Sequence, residues 1–290
     1  MVELRVLNAR VPDSSKPSTV SGYFDGAHRD LMARVAAFWS GRAPAVYATL
    51  NPVPPSLLAR AANRMKAFAR ETTSDAQSLY RYWFPLDIDA VRPSGIPSTD
   101  AEHQAALARA LQIREWLRPF GFPDPVYASS GNGAHLLYRC NLLNDAEITE
   151  LFKRCHKALA DRWDDKAAKV DKGVFNAARI WKLYGTLVCK GDALPDRPHR
   201  IARMLEVPDT RELVSREALE ALAAIVGPPP SSADKTFAQL VRPQRKHTVD
   251  AKEWLAKHNL PVVGEKDLPN GKLYIVNPCP FIPEHTNRSA

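Results

Sequence analysis

Two aspartates separated by one residue inside an apolar stretch, Leu86-Asp87-Ile88-Asp89, constrain this chain more than any other feature. Side chains alternate across a strand, so Asp87 and Asp89 share one face while Leu86 and Ile88 share the other. Adjacent carboxylates repel unless a cation lies between them, and hard divalent ions such as Mg²⁺ or Mn²⁺ take this type of oxygen ligand. A second reading is open on these residues alone. Asp89 simply starts the turn into Arg92-Pro93-Ser94-Gly95, and Asp87 faces solvent.

Three further signals accompany the pair. Val126–Ser129 and Ala134–Arg139 read as strands joined by Ser130-Gly131-Asn132-Gly133, a hairpin signature that holds His135 beside the loop. Asp171 follows Val170 in a strand-like position, where it either completes a carboxylate trio or merely begins a turn. Arg179, Lys182 and Lys190, with Arg197, His199 and Arg200 after them, form a row of cations. Positive charge beside carboxylates suits a triphosphate. An ordinary solvated basic face is the plainer alternative.

The chain has 290 residues, and 40 Lys and Arg stand against 32 Asp and Glu, a formal charge of +8 that favours a polyanionic partner. With 45% hydrophobic residues there is material for a proper core. No run approaches a membrane span, and Met1-Val2-Glu3-Leu4-Arg5 lacks a secretion signal. Cys140, Cys155, Cys189 and Cys279 are far apart, which indicates neither a disulfide framework nor a zinc ribbon. A cytoplasmic location is expected.

Periodicity predicts helices through Leu31, Val35 and Phe38 or Trp39, and through Leu57, Leu58, Ala61, Met65 and Phe68, the latter exposing Arg60 and Arg64 one turn apart. Thr99-Asp100-Ala101-Glu102 is a capping box opening a helix to Leu117, and Asn144-Asp145-Ala146-Glu147 opens another with Ile148, Leu151, Phe152, Cys155 and Leu159 inward. Strands are expected at 45–50, 180–188 and 201–205. The fold class is therefore α/β (α+β), a mixed, partly antiparallel sheet flanked by helices. Residues 1–206 form the expected main domain. A helix capped by Ser215 and a Pro-rich linker occupy 207–232. A small, mainly helical module spans 233–290, with a helix near 250–257 and a hairpin around Pro269-Asn270-Gly271.

The ordered combination of Asp-x-Asp, Gly-x-Gly-x-His, hydrophobic-Asp and Arg-x-x-Lys resembles the archaeo-eukaryotic primase superfamily, in particular phage- and plasmid-type primase-polymerases often fused to a superfamily 3 helicase. The resembling segments are 46–52, 83–93, 129–138, 170–190 and 197–200, nearly all of the region from 21 to 206. The resemblance implies that Asp87, Asp89 and Asp171 bind two divalent ions, Mg²⁺ or Mn²⁺. It implies that His135 contacts the phosphates of an incoming nucleotide, joined by Arg179, Lys182 and Lys190. One departure is visible. The family's second motif is often Ser-x-His, whereas Gly133 stands here, so a hydroxyl contact is missing or comes from Ser130 or a backbone N–H.

The implied activity is DNA primase and DNA polymerase chemistry for a phage, plasmid or other mobile element, with single-stranded template, primer strand and dNTP or NTP as partners. A metal-dependent nuclease and a non-catalytic replication or origin-binding protein are the competing classes. Arg60 and Arg64, with Lys66 and Arg70, form one candidate nucleic-acid surface, and Lys153, Arg154 and Lys157 another. Cys279-Pro280-Phe281-Ile282-Pro283-Glu284-His285 resembles a primase–helicase junction, so a helicase region is expected in cis.

Overall fold

The computed structural model describes residues 1–12, 14, 16–226, 251–268 and 271–276. Contacts divide the chain into Met1–Pro229 and Pro230–Ala290. In chain order the first unit contains β1 (Val2–Ala9), β2 (Ser18–Phe24), α1 (Arg29–Trp39), β3 (Val46–Thr49), β4 (Tyr80–Ala90), α2 (Asp100–Leu117), β5 (Val126–Ser129) and β6 (Gly133–Leu143). It continues with α3 (Ala146–Trp163), β7 (Ala168–Val170), β8 (Ile180–Lys182), β9 (Leu187–Val188), β10 (Arg200–Ile201), β11 (Arg203–Glu206) and α4 (Arg216–Ala224).

The strands build a four-stranded sheet, β2-β1-β3-β8, a five-stranded sheet, β11-β5-β6-β4-β7, and a small β9–β10 pair. Every pairing between these strands is antiparallel, beyond the partly antiparallel sheet that the sequence predicts. β1 and β2 are elements that the sequence reading leaves out.

Alternation along β4 and β6 sorts their side chains. Phe84, Leu86 and Ile88, with Ala134, Leu136 and Tyr138, enter the main core against α2, α3 and α4. Asp87, Asp89 and His135 necessarily face the other way. Thr99 caps α2 through Glu102 N at 3.1 Å, and the Glu102 carboxylate accepts from Thr99 N at 2.9 Å. Asp145 caps α3 through Ile148 N at 2.8 Å.

One expectation is corrected. The helix through Leu57 and Phe68 is absent. A single 3₁₀ turn spans Pro55–Arg60, after which the backbone bonds to β2, with Asn63 N donating to Tyr23 O at 2.8 Å and Lys66 N to Ser21 O at 2.8 Å. Amides committed to a strand edge cannot also close helical turns. The expected helix after Ser215 is α4, capped by Ser215 Oγ through Ala218 N at 3.1 Å, and its Leu219, Leu222 and Ala223 join the main core. The described part of the second unit holds one helix, α5 (Ala251–Lys257), and an antiparallel hairpin, β12 (Val262–Leu268) with β13 (Gly271–Val276). Both fall where the sequence predicts a helix near 250–257 and a hairpin after it. The Pro-rich segment at 228–232, the turn residues Pro269 and Asn270, and Cys279 to His285 lie outside the described residues. Among the described residues no helix is long and apolar enough to cross a membrane.

Candidate active site

Strand register creates the acidic floor. β4 runs between β6 and β7, with Asp87 directly opposite His135 and Asp89 opposite Gly133. Residues paired in this way share a face. On the other flank Asp89 pairs with Lys169 and Ile88 with Val170, and Asp171 N donates to Asp87 O at 2.8 Å. Two of the acids that the sequence singles out thus lie on β4, and the third, Asp171, directly follows the neighbouring strand β7.

The opposing wall comes from the four-stranded sheet. β3 and β8 pair Tyr47 with Lys182, and both side chains enter a cleft of about 470 Å³ that also takes in Asp87, Asp89, Asp171, His135, Arg179 and Lys190. Arg92, Asn132 and Trp181 line it too. Seven of the predicted residues therefore gather in one place.

Oδ1 of Asp87 is shielded from solvent and has no hydrogen-bond partner. Burial first, then the charge of Asp89, with Asp171 adding, pushes the Asp87 carboxyl well above the usual range, while Lys182 and Arg179 pull against that rise. An added positive charge would relieve this floor. No group of three or more His, Cys, Asp or Glu side chains among the described residues forms a ready-made metal cage. The partnerless oxygen beside two other acids nevertheless fits Mg²⁺, which is commonly held by one or two carboxylates with water and phosphate completing its shell.

His135 is buried, and burial together with the charge of Lys182 lowers its pKa well below the ordinary value, so the ring is neutral near pH 7. Its Nδ1 lies 3.0 Å from the Tyr184 hydroxyl, and the Trp181 indole N–H donates to that same oxygen at 3.0 Å. The Tyr184 proton is then free for Nδ1. This chain of donors favours the ring proton on Nε2, which sits 3.6 Å from Asp87 Oδ1, beyond hydrogen-bond distance. Trp181 also packs on the ring, with centroids 4.2 Å apart. Neither Trp181 nor Tyr184 carries a signal in the sequence that would mark this role.

Gly133 explains the missing serine of the motif. A Cβ at that position would meet the Ile88 carbonyl oxygen at 2.3 Å. Ser130 does not replace it, because the residue is fully buried, its Oγ has no partner, and it does not line the cleft. Asn132 does line it, with its amide oxygen held by Ser98 N at 2.8 Å.

Several predicted cations serve the fold instead. Arg197 forks onto Glu102 at 2.8 and 3.0 Å, and Arg200 binds Asp100 at 2.6 Å, so both hold the start of α2. His199 meets Gly191 O at 2.9 Å. Arg60 turns inward to the Tyr23 hydroxyl and Thr72 O, each at 3.2 Å, whereas Arg64 is exposed. The two do not share a helix face. Arg154 donates to Ala223 O at 3.0 Å and ties α3 to α4.

No family model matches the chain, and no curated protein matches its sequence. Among solved structures it is similar to the AEP domain of the cyanophage S-2L primase-polymerase (PrimPol), with 15% sequence identity and a TM-score of 0.42, over 77% of this chain and 88% of that one. Likeness at that level carries no weight for function. The cleft does.

Proposed function

We propose that the cleft transfers nucleotides to the 3′-hydroxyl of a primer strand on a single-stranded DNA template. The observation that carries this reading is the shielded, partnerless Oδ1 of Asp87 on a floor of three acids, facing Arg179, Lys182 and Lys190. Carboxylates on one wall and cations on the other match what a nucleoside triphosphate needs.

In this reading Lys182, Lys190 and Arg179 hold the triphosphate by charge. The neutral His135 ring donates Nε2–H to a phosphate oxygen and neither gives up nor gains a net proton. Asp87, Asp89 and Asp171 would hold the divalent ions, which when bound supply activation of the attacking hydroxyl and neutralisation of the leaving pyrophosphate. Asp87 and Asp171 are joined through the backbone, so the floor is fixed before substrate arrives.

The test uses purified protein, Mn²⁺ or Mg²⁺, and labelled dNTPs on primed and on unprimed single-stranded DNA. Incorporation that vanishes in Asp87→Ala and Asp89→Ala, with the melting curve retained, is the expected result. Degradation of the labelled strand would transfer the assignment to a nuclease. Extension by either variant at the parent rate would remove the cleft from the chemistry.

A further inference from the structure

A second cleft, of about 560 Å³, lies at the β2 edge of the four-stranded sheet and is lined by Ser21, Tyr23 and residues 60–61 and 66–71. β2 stands three strand spacings, roughly 14 Å, from β8. The segment after the 3₁₀ turn presses tightly onto β2. Gly22 permits this approach, because a Cβ there would meet the Arg64 carbonyl oxygen at 2.1 Å. Farther on, Ala69 N donates to Thr19 O at 2.9 Å.

Phe68 is the anomaly in this segment. Its φ is 54°, a left-handed backbone that bulky residues avoid. Its ring is 57% exposed, so burial does not offset that strain. Lys66 and Arg70 flank it, and both are exposed. Among the described residues of the groove, the one ion pair joins Arg60 to Glu71 at 3.5 Å.

We propose that this groove binds single-stranded nucleic acid, with a base stacked on Phe68 and phosphates against Lys66 and Arg70. Every base offers a face to an aromatic ring, and cations two residues to either side meet the backbone charge. A duplex keeps its base faces covered, so the ring selects single strands. Arg60, committed inward, forms the wall of the groove. This site is separate from the cleft assigned to nucleotidyl transfer and stands whether or not that assignment does.

The full chain, free of nucleotide and divalent ion, is titrated onto a fluorescein-labelled oligothymidylate of about 20 nucleotides and onto a duplex of equal length. Phe68→Ala weakens single-strand binding about tenfold and leaves duplex binding unchanged, while Phe68→Trp retains the parent affinity. Lys66→Ala or Arg70→Ala lowers the slope of log affinity against log salt by about 0.7. Phe68→Asn, which suits a left-handed backbone, raises Tm yet binds as poorly as Phe68→Ala. Single-strand affinity within about twofold of the parent in Phe68→Ala, or an equal loss on duplex, overturns the proposal. A lower Tm in Phe68→Asn would show that the ring is there for packing, and displacement of the oligonucleotide by a leucine-containing, glutamate-rich peptide as readily as by unlabelled DNA would make the groove a protein site.

Discussion

The Tyr184 hydroxyl lies 3.0 Å from Nδ1 of His135 and accepts the indole proton of Trp181 on its other side. A phenol and an indole, 49 and 46 positions away in sequence, thereby favour the tautomer of a buried imidazole that carries its hydrogen on Nε2.

Tyr184→Phe removes that hydrogen bond and keeps the ring. The Nδ1-protonated form of His135 then becomes populated, which ¹⁵N chemical shifts of the imidazole report directly. KM for the nucleotide is expected to rise about tenfold, near the worth of one hydrogen bond to a charged group, with kcat changing less. An unaltered tautomer in the variant would show that Tyr184 does not orient the ring.

Gly133→Ser would restore the serine common in the resembling motif, yet it should fail here. Its Cβ meets the Ile88 carbonyl at 2.3 Å, so β4 and β6 must separate beside Asp89. A destabilisation of about 1–3 kcal/mol is expected, the usual range for overpacking. Thermal unfolding of the variant beside the parent measures it.

Glu3 is fully buried on β1 and accepts from Arg5 at 2.8 and 2.6 Å, from Ser21 Oγ at 2.6 Å and from Thr73 N at 3.0 Å. Glu3→Ala strands the Arg5 guanidinium and should cost about 3–5 kcal/mol in urea unfolding. Burial favours the neutral acid, but the bonds from Arg5, Ser21 and Thr73 prevail and hold the carboxyl below its ordinary value. Its contribution is therefore present above the unfolded pKa, 4.5, and is lost as pH falls through the lower folded value.

His103 gives a second acid-sensitive point in a different window. Its Nε2 lies 2.8 Å from Ser129 Oγ, and burial, with the charge of Arg200, lowers its pKa from 6.5 to about 4. Between those values the unfolded chain binds the extra proton, so stability falls as pH drops from 6.5 towards 4, by at most about 1.4 kcal/mol per pH unit. His103→Gln should flatten the dependence of Tm on pH across that window.

Strand alternation made the acidic face legible. Leu86-Asp87-Ile88-Asp89 sets Asp87 and Asp89 on one strand face and the hairpin at Asn132-Gly133 holds His135 beside its loop, whereas the pairing of β4 with β6 that puts Asp87 opposite His135 is long-range and not encoded by either pattern. Val2-Glu3-Leu4-Arg5-Val6 alternates just as clearly, so β1 was open to the same reading. Phe68 was not, because apolar spacing between 57 and 68 imitates a helix while the backbone pairs with β2. Arg197 and Arg200 look like substrate cations until Glu102 and Asp100 are seen beside them. Tyr184 and Trp181 depend on a long-range meeting with His135 that no spacing encodes.

The packing of α4 governs how this protein can be handled in the laboratory. Val214, Ala218, Leu219, Leu222 and Ala223 close over the side of the sheet that carries Leu86 and Ile88, and Cys155 Sγ donates to the Leu219 carbonyl at 3.2 Å. Trimming the chain at residue 206, where the strands of the first unit end, would strip off that cover and bare a greasy patch prone to clumping. An expression fragment meant to behave as the parent does must keep at least the last turn of that helix.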